Sequence, residues 1–334
     1  MKMPSLGALL AVAVFAFSAL ASADEVVVYS TREEHLIKPI FDAYTKDTGV
    51  KIKLVTDVEN SQMQRRLKVE GKDTLADMLL TVDAGNLWEA AREGLLRPVQ
   101  SKVLSAHIPA HLRDPGNQWF GLSVRARTIF YNTRKVRPAE LSTYEDLGSQ
   151  KWKNRLCLRT SMKIYNQSLV AMMIAEHGEA KAEQIVKSWV ANLASAPFPN
   201  DTDMLEAIAS GQCDVGIANT YYFGRLMKKK PGLPIGIFWP DKNGKGVHVN
   251  ISGAGITKYA KHEKEAIKLL EWLSSKKAQD MLADVNLEYP ANPAVKCDPV
   301  VAAWGSFRHN QINVAKAGEL QAAAVRLMDR AGYK

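Results

Sequence analysis

The sequence predicts an α/β fold of two domains, and three observations carry the prediction. Strand-like and helix-like runs alternate through residues 25–93, the pattern of a mostly parallel sheet covered by helices. The first strand-like run, Glu25 to Tyr29, is almost continuously apolar, as in a strand buried on both faces. Two long extended segments, near 121–131 and 247–257, bracket the middle of the chain and can carry it from one domain to the other and back. Domains joined by crossing strands leave a cleft that closes by hinge motion.

Before the first strand, Lys2 gives a positive start and Gly7 to Leu20 is apolar but too short to span a bilayer comfortably. Ala21-Ser22-Ala23 has the small-x-small form of a cleavage site. Residues 1–23 are therefore expected to be a secretory signal peptide, with an exported, soluble mature chain beginning at Asp24. After the first strand, Leu36, Ile37, Ile40, Phe41 and Tyr44 have helical spacing, and Gly49 is the stop signal. Val50–Val55 and Ala76–Val82 read as strands, and Ser61–Glu70 and Asn86–Glu93 as helices. Gln118–Asn132 is extended, with Arg125, Arg127 and Ile129 on one face and Val124, Ala126 and Thr128 on the other.

A turn with a short helix is expected over Pro138–Leu147, and a strand over Leu156–Arg159. Helices follow from near Asn166, over Glu183–Leu193 and over Asp203–Ala209. Pro234–Pro240 is a strand, Lys242–Gly246 a turn, Val247–Thr257 an extended segment and Glu263–Ala283 one amphipathic helix. The remainder is mixed, with a helical end. The domains so marked are 24–125 with 248–300, and 126–247 with 301–334.

The formal charge of +9 comes from scattered Lys and Arg, apart from Lys228-Lys229-Lys230, so no nucleic-acid partner is implied; anionic surfaces or small ligands suit it. Cys157, Cys213 and Cys297 fit no zinc spacing. In an oxidising compartment Cys157 and Cys213, both in strand-like segments of the middle region, are the expected pair, leaving Cys297 free. No His-Glu-x-x-His, Gly-x-Ser-x-Gly, phosphate-binding loop or Gly-x-Gly-x-x-Gly occurs, which lowers the enzyme reading. His107 and His111 have helical pair spacing, but Pro109 lies between them.

The stretch with most chemical content is Gly211–Gly224. It opens as a buried strand (Val215, Ile217, Ala218), reaches the helix-capping Asn219-Thr220 and places Tyr221 and Tyr222 at the junction. Inside a strand, neighbours point to opposite faces. At the start of a helix they are about 100° apart and can converge. Two phenols there suit a hard, highly charged cation, which displaces their protons. An aromatic pair packing a domain edge would read the same way.

Val-Tyr-Ser-Thr-Arg (28–32), Ala-Asp-Met-Leu-Leu-Thr-Val-Asp-Ala-Gly (76–85), Gly-Leu-Ser-Val-Arg-Ala-Arg (121–127), Tyr-Asn-Gln-Ser-Leu (165–169), Asn-Thr-Tyr-Tyr (219–222), His-Val-Asn-Ile-Ser-Gly (248–253) and Glu-Tyr-Pro (288–290) occur in this order. With them the whole mature chain resembles the periplasmic ferric-iron-binding proteins, the bacterial transferrin-like components of ABC iron importers. The resemblance implies a type II periplasmic-binding-protein fold with an interdomain cleft and two crossing strands. It also implies a monomer that captures Fe³⁺ or an iron chelate in the periplasm and delivers it to an inner-membrane ABC permease, without catalysis. Tyr221 and Tyr222 match the family's paired phenolate ligands, and Tyr165 a third ligand of one branch. Arg127, or Arg125 beside it, matches the arginine that holds a synergistic anion, usually carbonate or bicarbonate. Where that branch places His-Tyr, this chain has Glu33-Glu34, with the histidine at His35. Either Glu33 takes the ligand's place or the N-terminal domain supplies no side-chain ligand. Two rivals stand beside this reading: a solute-binding protein of the same fold for an anion or polyamine, and an exported hydrolase.

Overall fold

The computed structural model describes residues 25–57, 59–241 and 244–334. The expected signal peptide, and part of the turn expected over Lys242–Gly246, lie outside these residues. The chain opens with β1 (Glu25–Ser30), α1 (Glu34–Thr48), β2 (Lys51–Thr56), α2 (Asn60–Glu70), β3 (Met78–Val82) and α3 (Ala84–Arg92). β1 runs parallel to both β2 and β3. The apolar spacing in α1 becomes one buried face of Leu36, Ile37, Ile40, Phe41 and Tyr44. Gly49 closes that helix at φ 77°, a left-handed conformation that costs glycine little.

Next come α4 (Lys102–His107), β4 (Phe120–Asn132), β5 (Leu156–Cys157), α5 (Ile164–His177), α6 (Glu179–Ala191), α7 (Asp201–Ser210), β6 (Val215–Asn219), α8 (Thr220–Lys229) and β7 (Ile235–Phe238). The chain returns through β8 (Val249–Ile256), α9 (Glu263–Leu273), α10 (Lys276–Asn286) and β9 (Tyr289–Pro290). It finishes in α11 (Pro299–Ala302), α12 (Lys316–Glu319) and α13 (Gln321–Arg330).

The strand order is β2-β1-β3-β8-β4-β6-β5, with β7 and β9 also paired to β4. β4 is shared between two lobes. Phe120–Ala126 runs antiparallel to β8, and Arg127–Tyr131 runs antiparallel to β6. The apolar packing divides at the same place: Ala126 joins the core built on β1, β3 and β8, whereas Ile129 joins the one built on α5, α6 and β6. The sheet is mixed, not mostly parallel as the alternation predicts. β8 returns from the second lobe and enters antiparallel to β3 and to β4.

The single helix expected over Glu263–Ala283 is two. Ser274 closes α9 through bonds to Leu270 and Glu271, and Ser275 accepts a bond from Ala278 N as the N-cap of α10. Ser-Ser offers side-chain bonds that compete with the helix ladder, and that outweighs the continuous apolar spacing.

Cys157 and Cys213 form a disulfide with Cα atoms 5.9 Å apart, and Cys297 is free and half-buried. The bond ties β5 to the loop entering β6 across a separation of 56 residues. Loop-closure entropy makes such a link worth about 4 kcal/mol, with typical outcomes of about 2–4. The Cys157→Ala/Cys213→Ala protein is therefore expected to unfold at lower urea than the parent. Coincident unfolding curves, with and without reductant, would contradict a stabilising bond.

Candidate functional site

Two helix starts bring the phenols together. β6 ends at Asn219, whose extended backbone (φ −76°, ψ 139°) turns directly into α8, so Tyr221 and Tyr222 fall in the first helical turn. Their ring centroids are 4.4 Å apart at 35°. Tyr165 sits in the first turn of α5. The three rings line one cavity of about 210 Å³, with Arg125, Glu33 and Arg225 also in its walls. Tyr221 is 8% exposed and, although carried by the second lobe, packs into the apolar core of the first. The cleft is thus closed over it.

Burial holds the Tyr221 phenol well above its ordinary pKa, reinforced by the neighbouring Tyr165 and Tyr222 and opposed by Arg125. Tyr165 is raised in the same way, by burial first and then by Tyr222. Tyr165 and Tyr221 therefore hold their protons in neutral water, and a hard cation has to displace them. Among the described residues no three His, Cys, Asp or Glu side chains gather as a metal site.

The two arginines expected on one strand face have different surroundings. Arg127 is 2% exposed and its donors are engaged. Nη1 donates to Asp201 at 3.0 Å and to Asn219 at 3.1 Å, Nε to Asn166 at 3.0 Å, and Nη2 to Asn166 at 2.7 Å and to the Ile217 carbonyl at 3.2 Å. It lies outside the tyrosine cavity and braces its frame, since Asn166 follows Tyr165 and Asn219 precedes the tyrosine pair. The sequence expectation named Arg127 before Arg125 as anion holder; here the Arg127 guanidinium is already bonded to Asp201 and two amides.

Arg125 lines the cavity and is 1% exposed. Its Nη1 donates to Ser252 at 3.3 Å, and Nη2 is buried without a partner among the described residues. Its guanidinium stands 5.9 Å from the centre of the Tyr165 ring. A buried guanidinium with an unused donor is costly unless an acceptor completes it.

Glu33 precedes α1 without capping it by its side chain, and that side chain is 61% exposed beside His35. It lines the rim of the tyrosine cavity. Arg32 points inward, to Glu288 at 2.9 Å and Ser252 at 2.6 Å. Burial pushes the Glu288 carboxyl up, but Arg32 and Arg125 outweigh it and leave its pKa below the usual value.

Three residues escape sequence reasoning as part of the site: Arg159, Asp83 and Ser168. Arg159, at the end of the predicted strand 156–159, has its guanidinium 5.3 Å from the Tyr165 ring centre and 5.8 Å from that of Tyr222. Asp83, fully buried at φ 79°, accepts a bond from Ser168 Oγ at 2.9 Å. That bond joins the start of α3 in the first lobe to α5 one turn beyond Tyr165. No local pattern marks any of the three, because Tyr222 reaches Arg159 from 63 residues away and Asp83 and Ser168 meet across 85.

Two α/β lobes, two crossing strands and a polar cavity closed between them define a two-lobed ligand-binding protein. The chain belongs to the bacterial extracellular solute-binding proteins, whose family model matches residues 40–308. It is 40% identical to the iron uptake protein A1 of Synechocystis sp., covering 93% of this chain and 88% of that one. Among solved structures it is similar to a Trichodesmium protein in complex with iron and citrate ligands, with TM-score 0.90, 44% identity, and 93% and 100% of the two chains covered. It is also similar to the Mannheimia haemolytica ferric iron-binding protein A in an open conformation, with TM-score 0.87, 36% identity, and 93% and 99% covered. The two-lobed periplasmic-binding-protein fold is shared with both.

Proposed function

We propose that this protein captures ferric iron in the cleft between its lobes and delivers it, in the periplasm and as a monomer, to an inner-membrane ABC permease, with no catalysis of its own. The observation that carries the reading is the convergence of three phenols on one closed cavity beside Arg125. Relatives named for iron uptake and ferric iron binding support it. Tyr165, Tyr221 and Tyr222 supply three phenolates, which neutralise Fe³⁺; hard oxygen donors favour this ion over softer ones. Carbonate adds two negative charges and fills further positions, held by Arg125 through paired donors. Glu33 adds the first lobe's contact from the rim. The working domains are 24–125 with 248–300, and 126–247 with 301–334, so most of the iron shell belongs to the second.

The visible spectrum before and after adding ferric citrate tests the reading. A phenolate-to-iron charge-transfer band is expected, and an organic-ligand pocket would give none. Arg125→Gln is expected to weaken iron retention by about tenfold, the cost of roughly one charge-assisted bond. The loss should be present in bicarbonate and small in bicarbonate-free buffer. An equal loss in both buffers would remove the anion from Arg125.

A further inference from the structure

α8 carries two of the three phenols, and within a turn of them it carries Gly224. Glycine is the poorest helix former after proline, and Gly224 sits inside the helix with no left-handed φ to require it. Its neighbours supply the reason. A Cβ at this position would stand 2.8 Å from Cζ2 and 2.9 Å from Cη2 of Trp304, and 2.9 Å from Cδ1 of Leu287. Non-bonded carbon atoms settle at about 3.5–4.0 Å, so only a hydrogen fits there.

The contact joins the lobes. Leu287 is buried in the core of the first lobe. Its neighbour Glu288 is anchored there by Arg32 at 2.9 Å and by Ser123 Oγ at 2.6 Å. Trp304 packs both on that core and on the second-lobe cluster of Phe130, Ala218 and Phe223. Its ring stands edge-on to Phe223, 5.8 Å between centroids, and to Tyr289, at 6.3 Å, and its carbonyl accepts from Trp239 Nε1 at 2.9 Å. Leu287 and Trp304 are thus held from several sides, and α8 meets them through its one residue without a side chain. Tyr221 and Tyr222, three and two residues earlier, pack against the same first-lobe core.

We infer that Gly224 is a positioning residue for iron capture: it sets how deeply α8 seats against the first lobe, and hence how far the lobes close over the phenols. The inference rests on the ferric reading. A side chain at 224 acts as a wedge between the lobes. Tyr165, Tyr221 and Tyr222 all belong to the second lobe and stay together when the wedge is in place, whereas the wall that carries Glu33 is drawn away from them.

The test compares the ferric-loaded parent with Gly224→Ala and Gly224→Leu. Alanine and leucine are strong helix formers, so the iron-free variants should unfold at urea concentrations no lower than the parent's. With the phenols untouched, both should take up iron and show the charge-transfer band. Release to excess chelator should be about tenfold faster for Gly224→Ala, an ordinary cost of overpacking, and faster still for Gly224→Leu. Small-angle scattering should give loaded Gly224→Leu a larger radius of gyration than the loaded parent. Removing the ring that the leucine meets, in Gly224→Leu/Trp304→Ala, should slow release again. Parent-like release and radius in both variants would overturn the inference. Faster release with a lowered urea midpoint, an unchanged radius and no recovery with Trp304→Ala would also overturn it, making Gly224 a packing residue of the second lobe alone. Failure of the ferric reading is distinct, because it shows as a missing band in the parent itself.

Discussion

Tyr221→Phe and Tyr222→Phe are each expected to lower ferric iron affinity by at least about a hundredfold, since loss of outer-shell partners alone costs about 10–100-fold at metal sites. Each change removes one oxygen and keeps the ring and most of its packing. The 4.4 Å ring contact and the place of Tyr221 in the first lobe's core should therefore survive. Citrate competition measures the affinity, and the visible band should weaken in step. Full colour and unchanged affinity in both variants would return the pair to a packing role.

The same site fixes the sign of the pH response. Tyr165 and Tyr221 have pKa values raised above the ordinary phenol value, so the iron-free protein holds their protons at neutral pH and iron binding is expected to expel them. Affinity must fall as pH falls, by about tenfold per pH unit for each proton displaced. A pH-independent affinity would contradict phenolate ligation.

Arg127→Ala is expected to destabilise the iron-free protein by about 3–5 kcal/mol, read from urea unfolding, because it strands a buried carboxylate. Asp201 is 0% exposed, and its other charged neighbour, Arg159, lies 3.8 Å away. Arg127→Lys keeps the charge but cannot bridge Asp201, Asn166 and Asn219 at once, so it should recover only part of the loss. Iron binding should weaken in both variants without dependence on bicarbonate, since Asn166 and Asn219 adjoin the three tyrosines. Unchanged stability together with bicarbonate-dependent iron loss would return the anion role to Arg127 and take it from Arg125.

How far the sequence reads depends on the range of the interaction that decides each feature. Periodicity is local, so the buried face of α1, its stop at Gly49 and the strand-to-helix turn carrying Tyr221 and Tyr222 were legible residue by residue. The two crossing segments were legible because an unbroken extended run of that length, Phe120–Asn132 in the structure, has few other uses. Where two local signals competed, as apolar spacing and Ser274-Ser275 did between α9 and α10, pattern alone gave one helix too few. Arg125 and Arg127 share a strand face, and no pattern of period two can separate them. The fold separates them because β4 changes partners between Ala126 and Arg127. Arg127 then meets Asn166, Asp201 and Asn219, which are 39, 74 and 92 residues away in sequence. Arg125, on the other lobe's side of the switch, keeps a donor free beside the phenols. The sequence alone determined which residue types were available for a hard cation and that they stood at the end of a strand. Only the tertiary structure decided which guanidinium was spent on the scaffold and which kept a donor without a partner among the described residues, because a buried charge takes its role from neighbours that folding brings to it.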